Sequence, residues 1–224
     1  MQRRPTEYAL GTMDRSVTNV PTPRSMWEQR FSAEGYLYGT EPNEFLSDSV
    51  SMLPPGTALC LAEGEGRNAV FLAGAGFDVH SVDLTEAGVA KTLRLATRRG
   101  VEVRAVVGDL ADPAAFDIGH DRWDLMVSVF AHMPPRVRRQ LHGRVVAGLK
   151  PGGVLVLEAY TPDQIGRGTG GPPSAEMTMT LDALREELAG LEFLHAEELE
   201  RDVVEGVGHT GVGAVVQLIA RKPA

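Results

Sequence analysis

Short β-rich runs alternate with helical segments from residue 57 onward, and this alternation constrains the fold more than any other feature of the chain. In such chains each helix connects two parallel strands, which form an open sheet with helices on its faces. Strand-like runs of this kind occupy residues 58–61, 77–82, 101–107, 123–129 and 154–157. Two more runs, 192–204 and 213–221, follow each other without a helix between them and should pair antiparallel. The sequence therefore predicts a Rossmann-like, open seven-stranded α/β sheet, mostly parallel, with an antiparallel C-terminal hairpin and helices on both faces.

The helices between these strands are indicated by end signals and by apolar periodicity. One helix is expected at about residues 67–73, and another at about 85–99, where Gly100 suits a left-handed cap. An amphipathic helix after Pro135 is indicated by apolar residues at every fourth position, namely Val137, Leu141, Val145 and Leu149.

The length of 224 residues and the hydrophobic content of 43% fit one domain with a substantial core. Residues 1–25 mix Thr, Pro, Arg and Asn without periodicity, which predicts a flexible N-terminal tail. Residues 26–224 are then expected to form the domain.

Charge and cysteine content exclude several classes of function. Acidic residues outnumber basic ones by 30 to 22, and no Lys or Arg run forms a basic stripe, so we expect no nucleic-acid partner. The single cysteine, Cys60, has no partner in the chain, which is typical of a reducing compartment and predicts a cytoplasmic protein. No apolar stretch approaches the roughly 20 residues of a membrane span, so no membrane partner is expected. The oligomeric state does not follow from the sequence.

A glycine turn, Glu63-Gly64-Glu65-Gly66, joins the predicted first strand to the first helix. Such a turn needs glycine where a side chain would block the close approach of a ligand, and a nucleoside-bearing cofactor fits there. Considered alone, the turn is explained equally well by a tight loop without a ligand.

Acidic residues follow the next two predicted strands. Asp83 comes after the second strand, where it could accept hydrogen bonds from both ribose hydroxyls or cap the next helix. Gly108-Asp109-Leu110 ends the third strand, where Asp109 could bind an adenine amino group while Leu84 and Leu110 enclose the ring. Ligands in such sheets bind outside the carboxyl ends of the strands, so these features should converge on one cofactor crevice.

Residues 61–69, Leu-Ala-Glu-Gly-Glu-Gly-Arg-Asn-Ala, resemble the first motif of class I S-adenosylmethionine-dependent methyltransferases, in the tellurite-resistance-type variant. The resemblance runs from Met26 to Lys222 and is carried further by residues 26–31, 36–43, 129–134, 149–153, 205–206 and 209–211. It implies S-adenosylmethionine as cofactor and methyl transfer to a small molecule: a thiol, a chalcogen oxyanion or a hydroxyl compound. It also assigns Asn68 and Phe130 to the cofactor site, and Asn68, at the start of the first helix, could fix the glycine turn.

Two departures from the family pattern fall at the first strand. Cys60 stands where the family usually has an Asp that orients the methionine end of the cofactor, and Ala62 stands where many members have Gly. Glu63, or a water held by the strand end, could replace the missing carboxylate.

The amino-terminal lid that the resemblance implies carries Arg30 and Tyr38. A guanidinium offers a bidentate fork, so these two residues could bind the cofactor carboxylate. The alternative is a surface arginine and a core tyrosine. Arg67, at the start of the first helix, could face solvent or the same carboxylate.

His132 directly follows the fourth strand and should point into the site near the methyl group. With an ordinary pKa near 6.5, it could accept a proton from the methyl acceptor. A histidine that shapes the substrate pocket or caps a helix is an equal alternative, since a soft thiol or chalcogen nucleophile is already largely ionised.

Two other functions and a metal site remain as competing interpretations. A nucleotide-binding oxidoreductase would need Gly-x-Gly-x-x-Gly, and the last position is Ala69, although alanine is sometimes tolerated there. A non-catalytic binding module with weakened cofactor affinity is suggested by Cys60 and Ala62. His209 and Glu205 lack the His/Cys spacing of zinc sites, so we expect no metal.

Overall fold

The computed structural model describes residues 22–51 and 53–224. Its helices are α1 (Pro23–Ser32), α2 (Glu44–Val50), α3 (Arg67–Gly74), α4 (Glu86–Arg99), α5 (Pro135–Gly148) and α6 (Leu181–Glu187). Its strands are β1 (Thr57–Leu61), β2 (Asp78–Asp83), β3 (Arg104–Val107), β4 (Trp123–Val129), β5 (Leu149–Tyr160), β6 (Glu192–Glu205) and β7 (His209–Arg221).

The seven strands form one sheet in the order β3-β2-β1-β4-β5-β7-β6. β1 to β5 run parallel, and β7 pairs antiparallel with both β5 and β6. The predicted fold class, including the antiparallel C-terminal hairpin, is therefore confirmed.

Both faces of the sheet are buried, because helices cover each side. Alternate residues of β1 point to opposite faces, so Leu59 joins one core cluster while Cys60 joins the other beside Leu125 and Val127. A strand that is buried on both faces can be apolar throughout, which explains why β1 reads as a continuous apolar run.

Some element boundaries differ from those predicted. β3 has only four residues and begins at Arg104 rather than at 101, because it is an edge strand that pairs with four residues of β2. β5 extends from Leu149 to Tyr160, well beyond 154–157, because it pairs with β4 on one side and with β7 on the other.

The N-terminal boundary also differs. Helix α1 begins at Pro23, three residues before the predicted start of the domain at Met26, and Thr22 caps it by accepting a hydrogen bond from the backbone N–H of Ser25. Residues 1–21 of the predicted tail lie outside the described residues. Among the helices of the described part of the chain, none combines the length and apolar character that crossing a membrane requires.

Candidate active site

The glycine turn after β1 has the left-handed backbone that its sequence suggested. Gly64 has φ +66° and Gly66 has φ +97°, both in the region that favours glycine. A Cβ atom on Gly66 would lie 2.6 Å from the Cα atom of Thr92 in α4, and one on Gly64 would lie 3.1 Å from the ring of Phe31. The need for glycine at Gly66 therefore comes from close packing against α4.

Asp83, at the end of β2, is buried and holds this turn in place. Its Oδ2 atom accepts a hydrogen bond from the backbone N–H of Gly64 at 2.8 Å. Its Oδ1 atom accepts bonds from the N–H and hydroxyl of Thr85, at 2.9 and 2.7 Å, and Thr85 in turn caps α4. A carboxylate offers about four lone pairs, and Asp83 uses three of them within the protein, which leaves one free.

The tip of β3 lies next to that of β2, as predicted. The backbone N–H of Gly108 donates to the carbonyl of Asp83 at 2.8 Å, and a Cβ atom on Gly108 would lie 2.9 Å from Val82. Asp109 is half-buried and accepts a hydrogen bond from the N–H of Ala111, while Leu110 is buried in the core. The structure thus brings Asp109 and Leu110 to the same edge of the sheet as Asp83. Leu84, which follows Asp83 in the chain, is half-buried.

Glu63 points toward α3. Its Oε1 atom accepts a hydrogen bond from the backbone N–H of Ala69 at 2.8 Å, within the first turn of that helix. Burial raises the pKa of Glu63 to about 7. Burial also raises the pKa of the neighbouring Cys60 thiol well above its usual range. Glu63 therefore supplies a carboxyl group beside the glycine turn, near the place where Cys60 replaces the usual aspartate.

Helix α1 and residues 36–43 make up the amino-terminal segment that the resemblance describes as a lid. Glu28 accepts hydrogen bonds from the backbone N–H groups of Glu86 and Ala87, at 2.9 and 3.0 Å, at the start of α4. Phe31 is buried against the glycine turn. The first part of the lid, α1, therefore covers the glycine turn after β1 and the start of α4 after β2.

The two lid residues named by the sequence have different surroundings. Arg30 is exposed, with its guanidinium 4.9 Å above the ring of Trp27. Tyr38 packs its ring against His209 at 4.5 Å between centroids. Burial raises the pKa of Tyr38, and the nearby charge of Arg30 opposes the rise.

A buried polar network ties this lid to the C-terminal hairpin. Arg201 binds Glu158 through Nε at 2.8 Å and Nη2 at 2.7 Å, and also contacts Glu205. Asn43 donates to both carboxylates, and Arg67 binds Glu205 at 2.5 Å. None of these links was predicted, because all except the contact between Arg201 and Glu205 join residues that lie far apart in the chain.

Asn68 belongs to this lid connection. Its Oδ1 atom accepts a hydrogen bond from the backbone N–H of Asn43 at 3.0 Å, and the side chain is buried. The observed contact thus anchors the lid segment to the start of α3.

His132 follows β4 as predicted, and both of its ring nitrogens have backbone partners. Nδ1 lies 3.0 Å from the carbonyl of Met177, and Nε2 accepts from the N–H of Tyr160 at 3.3 Å. Burial lowers the pKa of His132 to about 4. A neutral imidazole held at both nitrogens is suited to positioning neighbouring segments and poorly suited to accepting a proton.

Aromatic rings enclose the far side of the crevice. Phe130, which has the unusual φ of +51°, stacks on Tyr160 at 4.5 Å and meets His209 at 4.7 Å. The loop over residues 166–173 lies on this cluster, since a Cβ atom on Gly170 would be 2.5 Å from His209. In residues 22–51 and 53–224, no group of three or more His, Cys, Asp or Glu side chains could hold a metal ion.

Comparisons with known proteins agree with this geometry. Residues 58–153 match a family model described as a methyltransferase domain. Hemagglutinin 1 of Eikenella corrodens is 31% identical over 163 residues, which cover 71% of this chain and 51% of that protein. The chain thus spans about half the length of this curated relative.

Two solved structures share the fold at low sequence identity. One is a protein studied for the conversion of a disulfide bond into a thioacetal group during echinomycin biosynthesis, with 19% identity and a TM-score of 0.69 over 88% of this chain and 91% of that chain. The other is TehB from Haemophilus influenzae, with 19% identity and a TM-score of 0.66 over 88% of this chain and 65% of that chain. Residues 58–153 therefore match a methyltransferase domain, and the chain shares its fold with these solved structures.

Proposed function

We propose that the whole chain is an enzyme that transfers a methyl group from S-adenosylmethionine to a small-molecule acceptor. The observation that carries this proposal is the bond between Asp83 and the glycine turn. It sets a bare backbone bend and a carboxylate side by side at the carboxyl ends of two neighbouring parallel strands. Such an edge suits an adenosyl ligand.

The residues at this edge fit the cofactor from one end to the other. The remaining lone pair of Asp83 would accept from the ribose, and Asp109 with Leu84 and Leu110 would hold the adenine. The methionine part would lie beside Gly64 at the glycine turn, next to the ring of Phe31. Glu63, Asn68 and Phe130 would support this part, with Arg30 and Tyr38 approaching from the lid.

The bound cofactor supplies a methyl group on a positively charged sulfur, which is lost to a nucleophile by in-line displacement. The protein has then mainly to align the two reactants and exclude water. The closed lid and the ring cluster of Phe130 and Tyr160 serve this purpose. His132 is placed to hold the pocket wall, because both of its nitrogens bind backbone groups.

We propose a soft acceptor, such as a thiol or a chalcogen compound, ahead of a hydroxyl compound. A thiol is partly ionised near neutral pH and needs little help from a base, and His132 is not available as one. The tellurite-resistance-type motifs and the similarity to a protein involved in thioacetal formation support the same choice.

Binding tests the first half of this proposal. Isothermal titration should show that the protein binds S-adenosylhomocysteine and S-adenosylmethionine but not NAD. A preference for NAD would overturn the assignment. Binding of the adenosyl ligands without turnover of any acceptor would indicate a non-catalytic module.

Turnover tests the second half. The protein with S-adenosylmethionine is incubated with panels of thiols, phenols, quinones and oxyanions, and release of S-adenosylhomocysteine is measured. We expect the highest rates within the thiols and chalcogen compounds. Highest rates with phenols would contradict the proposed acceptor class and leave the methyltransferase assignment intact.

A further inference from the structure

Three buried polar atoms near the hairpin have no hydrogen-bond partner among the described residues. They are Nη1 of Arg67, Oη of Tyr160 and Nδ1 of His209. The exposed fractions of these residues are 7%, 0% and 7%. Leaving such groups unpaired in a protein interior is costly, so each requires an explanation.

The three atoms belong to one site. Nη2 of Arg67 lies 2.5 Å from Oε2 of Glu205, and Nδ1 of His209 lies 3.8 Å from the same oxygen, too far for a hydrogen bond. The Tyr160 ring meets the His209 ring edge-on, with 5.2 Å between centroids. Arg67, Tyr160 and His209 therefore surround one side of the Glu205 carboxylate, and we call them the orphan triad.

Two other unpaired nitrogens in the described part of the chain do not share this setting. Nδ1 of His142 lies 2.7 Å from the Glu187 carboxylate, which is within hydrogen-bonding distance. Nε2 of His195 lies on β6, which is the edge strand of the sheet. Among the described residues, unpaired buried polar atoms are therefore clustered only at the triad.

The three residues of the triad come from elements that meet near the carboxyl ends of the central strands. Arg67 begins α3 directly after the glycine turn, Tyr160 ends β5, and His209 begins β7. In the sheet, β4 separates β1 from β5, so the triad lies on the opposite side of the turn from Asp83. Gly170 packs on His209 and Gly171 on Tyr160, which closes the triad off from above.

The chemistry of the triad selects its ligand. Arg67 can only donate, while the hydroxyl and the imidazole can each donate or accept, so a group that accepts several hydrogen bonds would satisfy all three. The charges of Arg67 and Arg201 already balance those of Glu158 and Glu205, and burial lowers the pKa of His209. An incoming anion could be balanced by a proton taken up on His209.

We propose that Arg67, Tyr160 and His209 form a subsite that binds a carboxylate group of a ligand in the active site. This inference rests on the proposed methyltransferase function. The carboxylate belongs either to the methyl acceptor or to the amino-acid part of the cofactor, and the position beyond β4 favours the acceptor.

The test uses Tyr160→Phe, with Tyr36→Phe as the matched control. The Tyr160 hydroxyl has no partner to lose, so its removal should leave the melting temperature of the free protein unchanged. Tyr36 donates to the carbonyl of Lys91 at 3.2 Å, away from the triad. Arg67→Lys is a second variant, because lysine keeps a charge for Glu205 but loses the planar fork.

The first measurement is titration of each protein, in the presence of S-adenosylhomocysteine, with 3-mercaptopropionate and with 3-mercapto-1-propanol. Only 3-mercaptopropionate carries a carboxylate; the other thiol has a hydroxyl group in its place. The titration measures binding and needs no methyl transfer. We expect the wild type to bind the carboxylate thiol at least about tenfold more tightly, as for a hydrogen bond to a charged group. Tyr160→Phe and Arg67→Lys should remove most of this preference, and Tyr36→Phe should keep it.

The second measurement compares S-adenosylhomocysteine with 5′-methylthioadenosine, which lacks the amino-acid part. If Tyr160→Phe weakens the binding of S-adenosylhomocysteine by about tenfold and leaves that of 5′-methylthioadenosine unchanged, the subsite binds the carboxylate of the cofactor. This result would support the proposed subsite. If no carboxylate preference changes in either titration, the triad is satisfied by water only, and the inference is overturned. Carboxylate-selective binding without methyl transfer would instead overturn the proposed function.

Discussion

The carboxylate of Asp83 accepts a hydrogen bond of 2.8 Å from the backbone N–H of Gly64, although 19 residues separate the two in the chain. The bond joins the tip of β2 to the turn after β1. The same side chain also accepts hydrogen bonds from Thr85 at the start of α4. Asp83 therefore has a structural role in addition to its proposed contact with the ribose.

Replacing Asp83 should therefore affect both stability and binding. In Asp83→Asn an amide N–H₂ group would face the N–H of Gly64 or of Thr85, and a buried donor without an acceptor costs about 1–3 kcal/mol. Urea unfolding should show this loss, and calorimetry should show at least about tenfold weaker binding of S-adenosylhomocysteine. Asp78→Asn, at the exposed start of the same strand, should change both quantities little. Wild-type affinity in Asp83→Asn would remove Asp83 from the cofactor site.

The glycine turn gives a second prediction with a matched control. Gly66→Ala should destabilise the protein by roughly 2–4 kcal/mol, because φ is +97° and the new Cβ atom would lie 2.6 Å from Thr92. Gly143→Ala, inside α5 where a Cβ atom meets nothing within 4 Å, should stabilise it by about 0.5–1 kcal/mol. Thermal unfolding of the two variants checks both signs. Equal effects would mean that packing at Thr92 is not what selects glycine at the turn.

The order of elements could be predicted because it depends on local patterns. The strands of the sheet centre contain continuous apolar runs, and their connections carry helical periodicity. The glycine turn, Asp83 and Asp109 could be found for the same reason, since each directly follows a strand. The length of β3 could not, because pairing at a sheet edge depends on how many residues of β2 face it.

The polar network beneath the lid could not be predicted from the sequence. Arg67 and Glu205 are 138 residues apart, and Asn43 and Glu158 are 115 apart. In the sequence, Glu205 ends a run whose alternating charges are typical of a solvent-facing strand. Only the packing of the hairpin against the lid buries it, and this packing also creates the orphan triad.

Stability at low pH should depend on Glu187, which joins α5 to α6. Burial alone would raise the pKa of this carboxyl, but hydrogen bonds from His142 and Arg138 outweigh it and lower the pKa to about 2. A depressed pKa adds stability above the ordinary value of 4.5 that is lost as pH falls toward 2. We expect the wild type to lose about 2 kcal/mol more than Glu187→Gln between pH 5 and pH 2.5 in urea unfolding.

The matched control for Glu187 is Glu186→Gln on the same helix. Glu205 has a similarly lowered pKa and remains in both variants, so the difference between the curves reports Glu187 alone. If the unfolding free energies of the wild type and Glu187→Gln change in parallel with pH, the ion pair and hydrogen bonds of Glu187 with Arg138 and His142 do not stabilise the protein.

The pH dependence of methyl transfer should reveal whether His132 accepts a proton. Since burial lowers its pKa to about 4, the imidazole stays neutral down to that pH and adds no inflection between pH 5 and pH 8. His132→Asn retains a donor toward the carbonyl of Met177 and should lower kcat less than about tenfold, without changing the shape of the profile. A general base would instead contribute about 100-fold or more and an inflection that disappears in the variant. The exposed His120→Asn is the control, and it should match the wild type at every pH.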